Sequence, residues 1–565
     1  MKQIIECVPN FSEGRDMSII KQITDVIESC EGVKLLNVDP GAATNRTVIT
    51  FVGTPEEVCN AAFLAVKKAS ELIDMRKHKG AHPRFGATDV CPLIPVANIS
   101  MEETVEYARK LAERIGKELS IPVYCYEFAA FKPERKNLAN CRSGEYEGLS
   151  KKLVNPEWEP DFGPAEWNEH VAKTGATAVG ARKFLVAYNI NLNTTSVNKA
   201  NSIAFDVREK GRVKREGHPV TGKPVLDEKG NKVYEPGLLK SVKAIGWYIE
   251  EYGIAQISMN LTDIDVTPVH VAFDTVCERA QAHGLRVTGS ELVGVIPLKA
   301  ILDAGKYFLK KQGRSTGIAD SEIIKIAVKS LGLDELKPFD PKKNIIEYML
   351  EEDSGNKLVD MDLVKFCHTT ASESPAPGGG SISAYMGALG AALGTMVANL
   401  TANKYRHDDR WMEYSDWAEK GKYYHDELLK LVDEDTRAFN KIIDAFGLPK
   451  SNDEEKAARK KAIQEATKFA MEIPFKTMKL SYESMEVMFE MAKHGLEASI
   501  SDASVGALAA TAAVRGAFLN VKINGSGYDD KDFVNQIIAE GSEIERKAIE
   551  LQNKILDLVN SKISK

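Results

Sequence analysis

None of the 8 cysteines in this 565-residue chain stands in a C-x-x-C pair, and none lies beyond Cys367. That spacing excludes the common zinc sites and a disulfide framework, and predicts buried thiols in a reducing compartment. Nucleic-acid-type Lys/Arg clusters are missing too. With 74 basic against 81 acidic residues the formal net charge is −7, which argues against a nucleic-acid partner. The opening MKQIIECVPNFSEGRD lacks an apolar leader core and a small-residue cleavage site, so a cytoplasmic chain is expected. No wholly apolar run of about 18 residues predicts a membrane span. The most apolar stretch, GALGAALGTMVANLTANKY, is rich in Gly and Ala and reads as tight helix packing. Neither the dinucleotide nor the P-loop glycine spacing occurs.

What is present is ordinary soluble-protein composition, 43% hydrophobic and 27% charged, in a chain too long for one core. Its character changes along its length. Residues 1–180 alternate strand and helix patterns: IIECVPNF, MSIIKQITDVIESC, VKLLNVD, NRTVITFVG and PEEVCNAAFLAVKKASELI. This β-α-β-β-α order is that of a ferredoxin-like unit. Residues 181–315 repeat the theme, with ARKFLVAYNINL, IAQISMNLTD and RVTGSELVGVI as strands. LLKSVKAIGWYIEEYG and TPVHVAFDTVCERAQAHG are the expected helices. The polar 210–236 segment, between the strand ARKFLVAYNINL and the helix LLKSVKAIGWYIEEYG, reads as an exposed insertion or hairpin. Residues 316–357 read as a linker. From 358 to 565 long helical patterns take over, predicting an all-α bundle. The expected fold class is therefore α+β, two ferredoxin-like α/β subdomains followed by an all-α helical bundle domain.

Chemistry concentrates in five places. HKGAHPRFGATDVCPLIP at 78–95 packs His78, His82, Arg84 and Asp89 into one loop. Histidine titrates near working pH, so this is either a solvated loop or an acid–base site. NVDPGAATNRT supplies Asp39, a carboxylate able to orient a histidine, and Arg46. Arg46, Arg84 and Arg182 suit bidentate pairing with substrate carboxylates. DFGPAEWNEHVAKTGATAVGARKF carries Gly163, Glu166 and His170 without phosphate-loop spacing. In the second half, SPAPGGGSISA offers free backbone N–H groups at a helix start, with a Ser-capped hinge as the alternative. LVDEDTRAFN places Asp433, Glu434 and Asp435 inside a helix, with Phe439 sharing the face of Asp435. Such triplets are commonly solvated, whereas an acid on the buried side has a raised pKa and suits general-acid work.

These segments carry a family resemblance. CVPNFSEGRD, VDPGAATNRTV, KGAHPRFGATDVCPLIPV, FGPAEW, GARKFLVAYNINL and TGSELVGVIP resemble glutamate formiminotransferase. SPAPGGGSISA, LVDEDTRAFN and SDASVGA resemble formiminotetrahydrofolate cyclodeaminase. Together, in this order, they are similar to the bifunctional formimidoyltransferase-cyclodeaminase family over nearly the whole chain. The 210–236 segment looks like an insertion relative to the family pattern.

The resemblance implies transfer of a formimino group from N-formimino-L-glutamate to tetrahydrofolate, then ring closure to 5,10-methenyltetrahydrofolate with loss of ammonia. It implies His82 as base of the first step and Asp435 as acid of the second. Asp39 supports His82, and Arg46 and Arg84 hold the glutamate carboxylates. The pterin contacts Gly163, Pro164, Ala165, Glu166, Trp167, Asn168, Glu169, His170, Val171 and Ala172, with Trp167 as a stacking face. Tetrahydrofolate, polyglutamylated, is a substrate, and no metal or nucleotide is required. A cytoplasmic homo-oligomer joined through its helical domain is implied. Two alternatives stay open. One is an N-formylglutamate formyltransferase fused to a methenyltetrahydrofolate cyclohydrolase, and the other is a folate-binding oligomeric scaffold.

Overall fold

The computed structural model describes residues 3–42, 45–80, 84–217, 221–350 and 357–563. His82 lies outside them. Contacts divide the chain into two units, Met1–Ile301 with Leu331–Glu351, and Leu302–Ser330 with Glu352–Lys565. The stretch read as a linker is therefore shared: helix α10 (Asp320–Leu331) lies almost wholly in the second unit, and the chain after it returns to the first.

The first unit opens with β1 (Ile4–Cys7), β2 (Asn10–Phe11), α1 (Met17–Glu28), β3 (Val33–Gly41), β4 (Arg46–Gly53), α2 (Pro55–Leu72) and β5 (Thr88–Ala97). α3 (Met101–Leu119), β6 (Val123–Glu127), α4 (Leu138–Cys141), α5 (Glu145–Leu153), α6 (Glu169–Thr174) and β7 (Thr177–Ala181) follow. β1 and β2 both pair with β4 on one side and β5 on the other, so they act as one strand broken at Val8-Pro9. Pro9 has no N–H to give a ladder. With β3 outside β4, the order is that of the ferredoxin-like unit expected from the sequence, extended by β7 and β6 in parallel. Side chains alternate across a strand. Ile5, Cys7, Ile49, Phe51 and Leu93 face α1, α2 and α3 in the main core. Val90, Tyr124, Tyr126 and Ala178 face the other way and meet Leu149, Leu153 and Val171.

The second sheet follows as β8 (Val186–Leu192), α7 (Val197–Val207), the short β9 (Arg212–Val213), β10 (Arg215–Glu216), β11 (Lys223–Pro224) and β12 (Tyr234–Glu235), then β13 (Val242–Ile249), β14 (Ile254–Leu261), α8 (Val269–Ala282) and β15 (Val287–Val293). Its order β13-β14-β8-β15, antiparallel throughout, repeats the ferredoxin-like arrangement. The 210–236 segment forms two small two-stranded ladders, β9 with β12 and β10 with β11. The helix expected over LLKSVKAIGWYIEEYG is instead β13. Val242, Ala244 and Gly246 turn inward while Lys243, Ile245 and Trp247 turn outward, the period of a strand. β-branched and aromatic residues suit that pleat better than a helix. Helix α7, which packs on β13 (a Cβ at Gly246 would strike Ala200), was not anticipated.

α9 (Leu298–Lys311) carries the chain into the second unit and α10 (Asp320–Leu331) brings it back, to α11 (Pro341–Asn344) and α12 (Ile346–Leu350). The second unit continues through α13 (Leu363–Thr370), α14 (Gly379–Lys404), α15 (Arg410–Gly447), α16 (Asp453–His494), α17 (Ile500–Gly525) and α18 (Lys531–Ile563). Helices α14 to α18 share one core. α14 and α17 touch at paired glycines: a Cβ on Gly390 would stand 2.7 Å from the Gly506 carbonyl oxygen. Gly379–Lys404 and Glu497–Gly525 are long and apolar enough to cross a membrane by length and composition. In the structure their Ala and Val side chains fill the bundle core.

Candidate functional site

The first site is built at the strand ends around the 75–89 loop. His78 is buried, and its Nε2 lies 2.7 Å from the Asn45 carbonyl oxygen. Asn45 sits at φ +50°, accepts from the Gly14 N–H and donates to Lys79 O. His78 therefore ties the loop to the β3–β4 turn, a structural duty that leaves His82 as the candidate base. Arg84 donates from Nε and Nη2 to Glu147 at 2.8 and 2.6 Å, and from Nη1 to the carbonyls of Met75 and His78. Its guanidinium lies 4.7 Å from the centre of the Tyr146 ring. Arg84 thus braces the loop. Asp39 is exposed on β3, opposite Val48. In the same sheet Val48 also pairs with Asn10, and Asn10 with Val90.

Asp89 is only 1% exposed. It takes a bidentate pair from Arg142, Nε at 2.9 Å and Nη2 at 2.5 Å, and Arg46 Nη2 stands 3.7 Å away. Arg142, which follows α4, is the site residue that sequence reasoning missed. No motif marks it, because the pairing spans 53 positions.

The 163–172 segment lies against the same loop. Trp167, 38% exposed, meets Tyr146 with ring centres 5.7 Å apart and planes tilted by 60°, and Arg84 covers Tyr146. Glu169 pairs with Arg76 at 2.9 Å, and Lys173 O accepts from the Met75 N–H. Asn168 caps α6, and His170 Nε2 lies 2.8 Å from Leu119 O. Val171 and Ala172 are buried, and their backbone groups are engaged: the Val171 N–H by Asn168 Oδ1, the Ala172 N–H by Asn168 O, and their carbonyls by the Gly175 N–H and the Tyr146 hydroxyl.

Behind this site, Glu6 is 5% exposed on β1. It points away from the Ile5–Cys7 core, and burial raises its carboxyl to about 7 while Arg182 pulls it down. Burial raises the Glu127 carboxyl as well, against Arg182 and Lys243. A carboxyl raised in the folded state stabilises below its unfolded pKa and loses that contribution as pH rises through about 7. Glu6→Gln should leave the melting temperature unchanged at acidic pH and raise it above neutrality, by up to about 3 kcal/mol of stability. Equal melting shifts on both sides of neutrality in a pH series would contradict this.

The second site lies where α14 begins. Gly378, not a serine, is its N-cap, and Ser381 sits in the first turn with its hydroxyl 3.1 Å from Asp435 Oδ2. Ser381 is fully buried and its backbone N–H also serves Asp435. Burial raises the Asp435 carboxyl, and the two Ser381 bonds lower it, with the net shift upward. The other acids of the triplet are engaged elsewhere. Asp433 accepts the Leu358 N–H at 2.7 Å, and Glu434 pairs with Arg437 at 2.9 Å. Phe439 is 43% exposed, so the expected apolar face below Asp435 is open. The glycine run is needed for contact: a Cβ on Gly380 would fall 2.0 Å from Asp435 Oδ1. Gly380→Ala should therefore cut ring-closing activity about tenfold or more and leave the other unit's reaction intact. Unchanged ring closure in a steady-state assay would separate the glycines from Asp435.

A buried-charge site in an α/β unit and an acid in a helical bundle define a two-site enzyme. Family models match it along its length. "Formiminotransferase domain, N-terminal subdomain" covers 4–182, "Formiminotransferase domain" covers 187–351, and "Formiminotransferase-cyclodeaminase" covers 362–543. The chain is 44% identical over 537 residues to formimidoyltransferase-cyclodeaminase of Gallus gallus, covering 94% of each. It is 41% identical to glutamate formimidoyltransferase of Streptococcus pyogenes, over 55% of this chain and 94% of that protein. It is 36% identical over 211 residues to methenyltetrahydrofolate cyclohydrolase of Methylorubrum extorquens, 37% of this chain and all of that protein. The chain belongs to the formimidoyltransferase-cyclodeaminase family.

Proposed function

We propose that the chain moves a formimino group from N-formimino-L-glutamate to tetrahydrofolate in its first unit, then closes the ring to 5,10-methenyltetrahydrofolate with release of ammonia in its second. The observation that carries this is likeness over nearly the whole length to a relative named for both activities, with one candidate site in each unit. The steps serve histidine breakdown and one-carbon metabolism. In the first, N5 of the folate attacks the amidine carbon, a tetrahedral intermediate forms, and the C–N bond to glutamate breaks. His82 takes the proton from N5 and returns one to the departing glutamate nitrogen. Asp39 orients His82, and Arg46 holds a glutamate carboxylate. Arg84 has the right chemistry for the second carboxylate, but its contacts make it a brace for the loop that carries His82. The pterin lies along Gly163–Ala172, using backbone groups and the Trp167 face. In the second step N10 attacks the same carbon and gives up its proton, Asp435 protonates the former imino nitrogen, and the C–N bond to it breaks so that it leaves as ammonia. The raised pKa keeps that acid protonated closer to neutrality.

The folate carries a polyglutamyl tail, for which lysines of the helical unit supply charge. The chain is a cytoplasmic homo-oligomer. All 8 cysteines are free. α14 and α17 leave Leu389, Met396, Leu400, Val505 and Leu508 exposed, an apolar surface suited to a second copy. Neither step requires a metal or a nucleotide. Likeness to the cyclohydrolase favours one rival, formyl rather than formimino chemistry. Purified protein given formiminoglutamate and tetrahydrofolate should release one ammonia per methenyl product. Turnover with N-formylglutamate alone would overturn the assignment.

A further inference from the structure

The Asp89 cluster leaves one guanidinium edge unspent. Two guanidinium groups, Arg46 and Arg142, face one carboxylate that is 1% exposed. Their side chains are 21% and 19% exposed, so both can be reached by an incoming anion. Arg142 spends Nε and Nη2 on Asp89, and among the described residues its Nη1 makes no hydrogen bond. The position is also right. Arg46 follows Asn45, which accepts from His78. Asp89 closes the HKGAHPRFGATD segment that contains His82.

We propose that Arg142, held in place by Asp89 beside Arg46, binds a carboxylate of the amino-acid donor and so sets donor specificity in the transfer reaction. This rests on the formimino-transfer reading above. Asp89 is a positioning residue, and its bidentate grip turns the guanidinium so that the remaining N–H edge meets the incoming carboxylate. The donor is thereby recognised as a dicarboxylic amino acid rather than as any amidine.

The test is a comparison of donors. Formiminoglutamate is set against two analogues, one lacking the α-carboxylate and one lacking the side-chain carboxylate. The wild type should discriminate against each. Arg142→Met should raise KM for formiminoglutamate and lower kcat/KM about 10²-fold. With the analogue missing the carboxylate that Arg142 reads, the same variant should lose almost nothing. If Arg142→Met leaves Asp89 unpaired and the chain fails to fold, the Asp89→Asn, Arg142→Met double variant removes both charges and should show the same loss of discrimination. Equal losses on all three donors in a folded variant would overturn the proposal and make the cluster merely structural. A wild type that uses none of the three donors would instead overturn the formimino-transfer reading.

Discussion

His82→Ala should abolish formimino transfer, with a loss of about 10²–10⁴-fold, the range for removing a general acid–base group. Ring closure of supplied 5-formiminotetrahydrofolate should continue at the normal rate. The expectation rests on the residues described on either side of it in sequence. His78 is spent on Asn45 O, and Arg84 is spent on Glu147 and on the loop backbone. Neither can take over proton transfer, since one is locked by its hydrogen bond and the other spends its N–H groups on Glu147 and backbone carbonyls. The loop is anchored at both ends, so the alanine variant should keep its melting temperature within about 1 kcal/mol of stability. Parallel loss of both activities would mean that the two reactions share one site.

Asp435→Asn should do the reverse. Asparagine fills the same space beside Ser381 but has no acidic proton to give. Ring closure should fall by about 10²–10⁴-fold, and 5-formiminotetrahydrofolate should accumulate from a transfer reaction that runs normally. The pH dependence follows from the direction of the shift. Burial raises the Asp435 carboxyl, so its protonated form persists to higher pH than for an exposed aspartate. Wild-type ring closure should decline as pH rises through that raised value, and the asparagine variant's residual rate should not follow this limb. Near-normal ring closure by the variant would return Asp435 to the ordinary surface acids.

The layered plan was legible because periodicity reports burial. The two ferredoxin-like units and the all-helical second half follow from patterns such as NRTVITFVG and the long 3.6-period runs. β13 was misread because SVKAIGWYI places apolar residues at spacings that fit either a helix or a strand, and only packing on α7 decides. The middle of the chain was misread for another reason. Residues 316–350 are short helices and polar turns, and nothing local shows that α10 joins one unit while the following residues join the other. At the second site the motif points to Asp435 within its triplet, but not to the contact with Ser381, 54 positions away. At the first site the loop announced itself, yet Arg142 did not, because an ion pair between distant segments leaves no trace in spacing.

The central claim is that two independent sites act in sequence on one folate. Mixing the His82→Ala and Asp435→Asn proteins tests it most directly. Each alone should release almost no ammonia from formiminoglutamate and tetrahydrofolate. Together they should release it, because the second variant makes 5-formiminotetrahydrofolate and the first closes its ring. A mixture as silent as its components, with each variant active in its own half-reaction, would contradict sequential action through that intermediate.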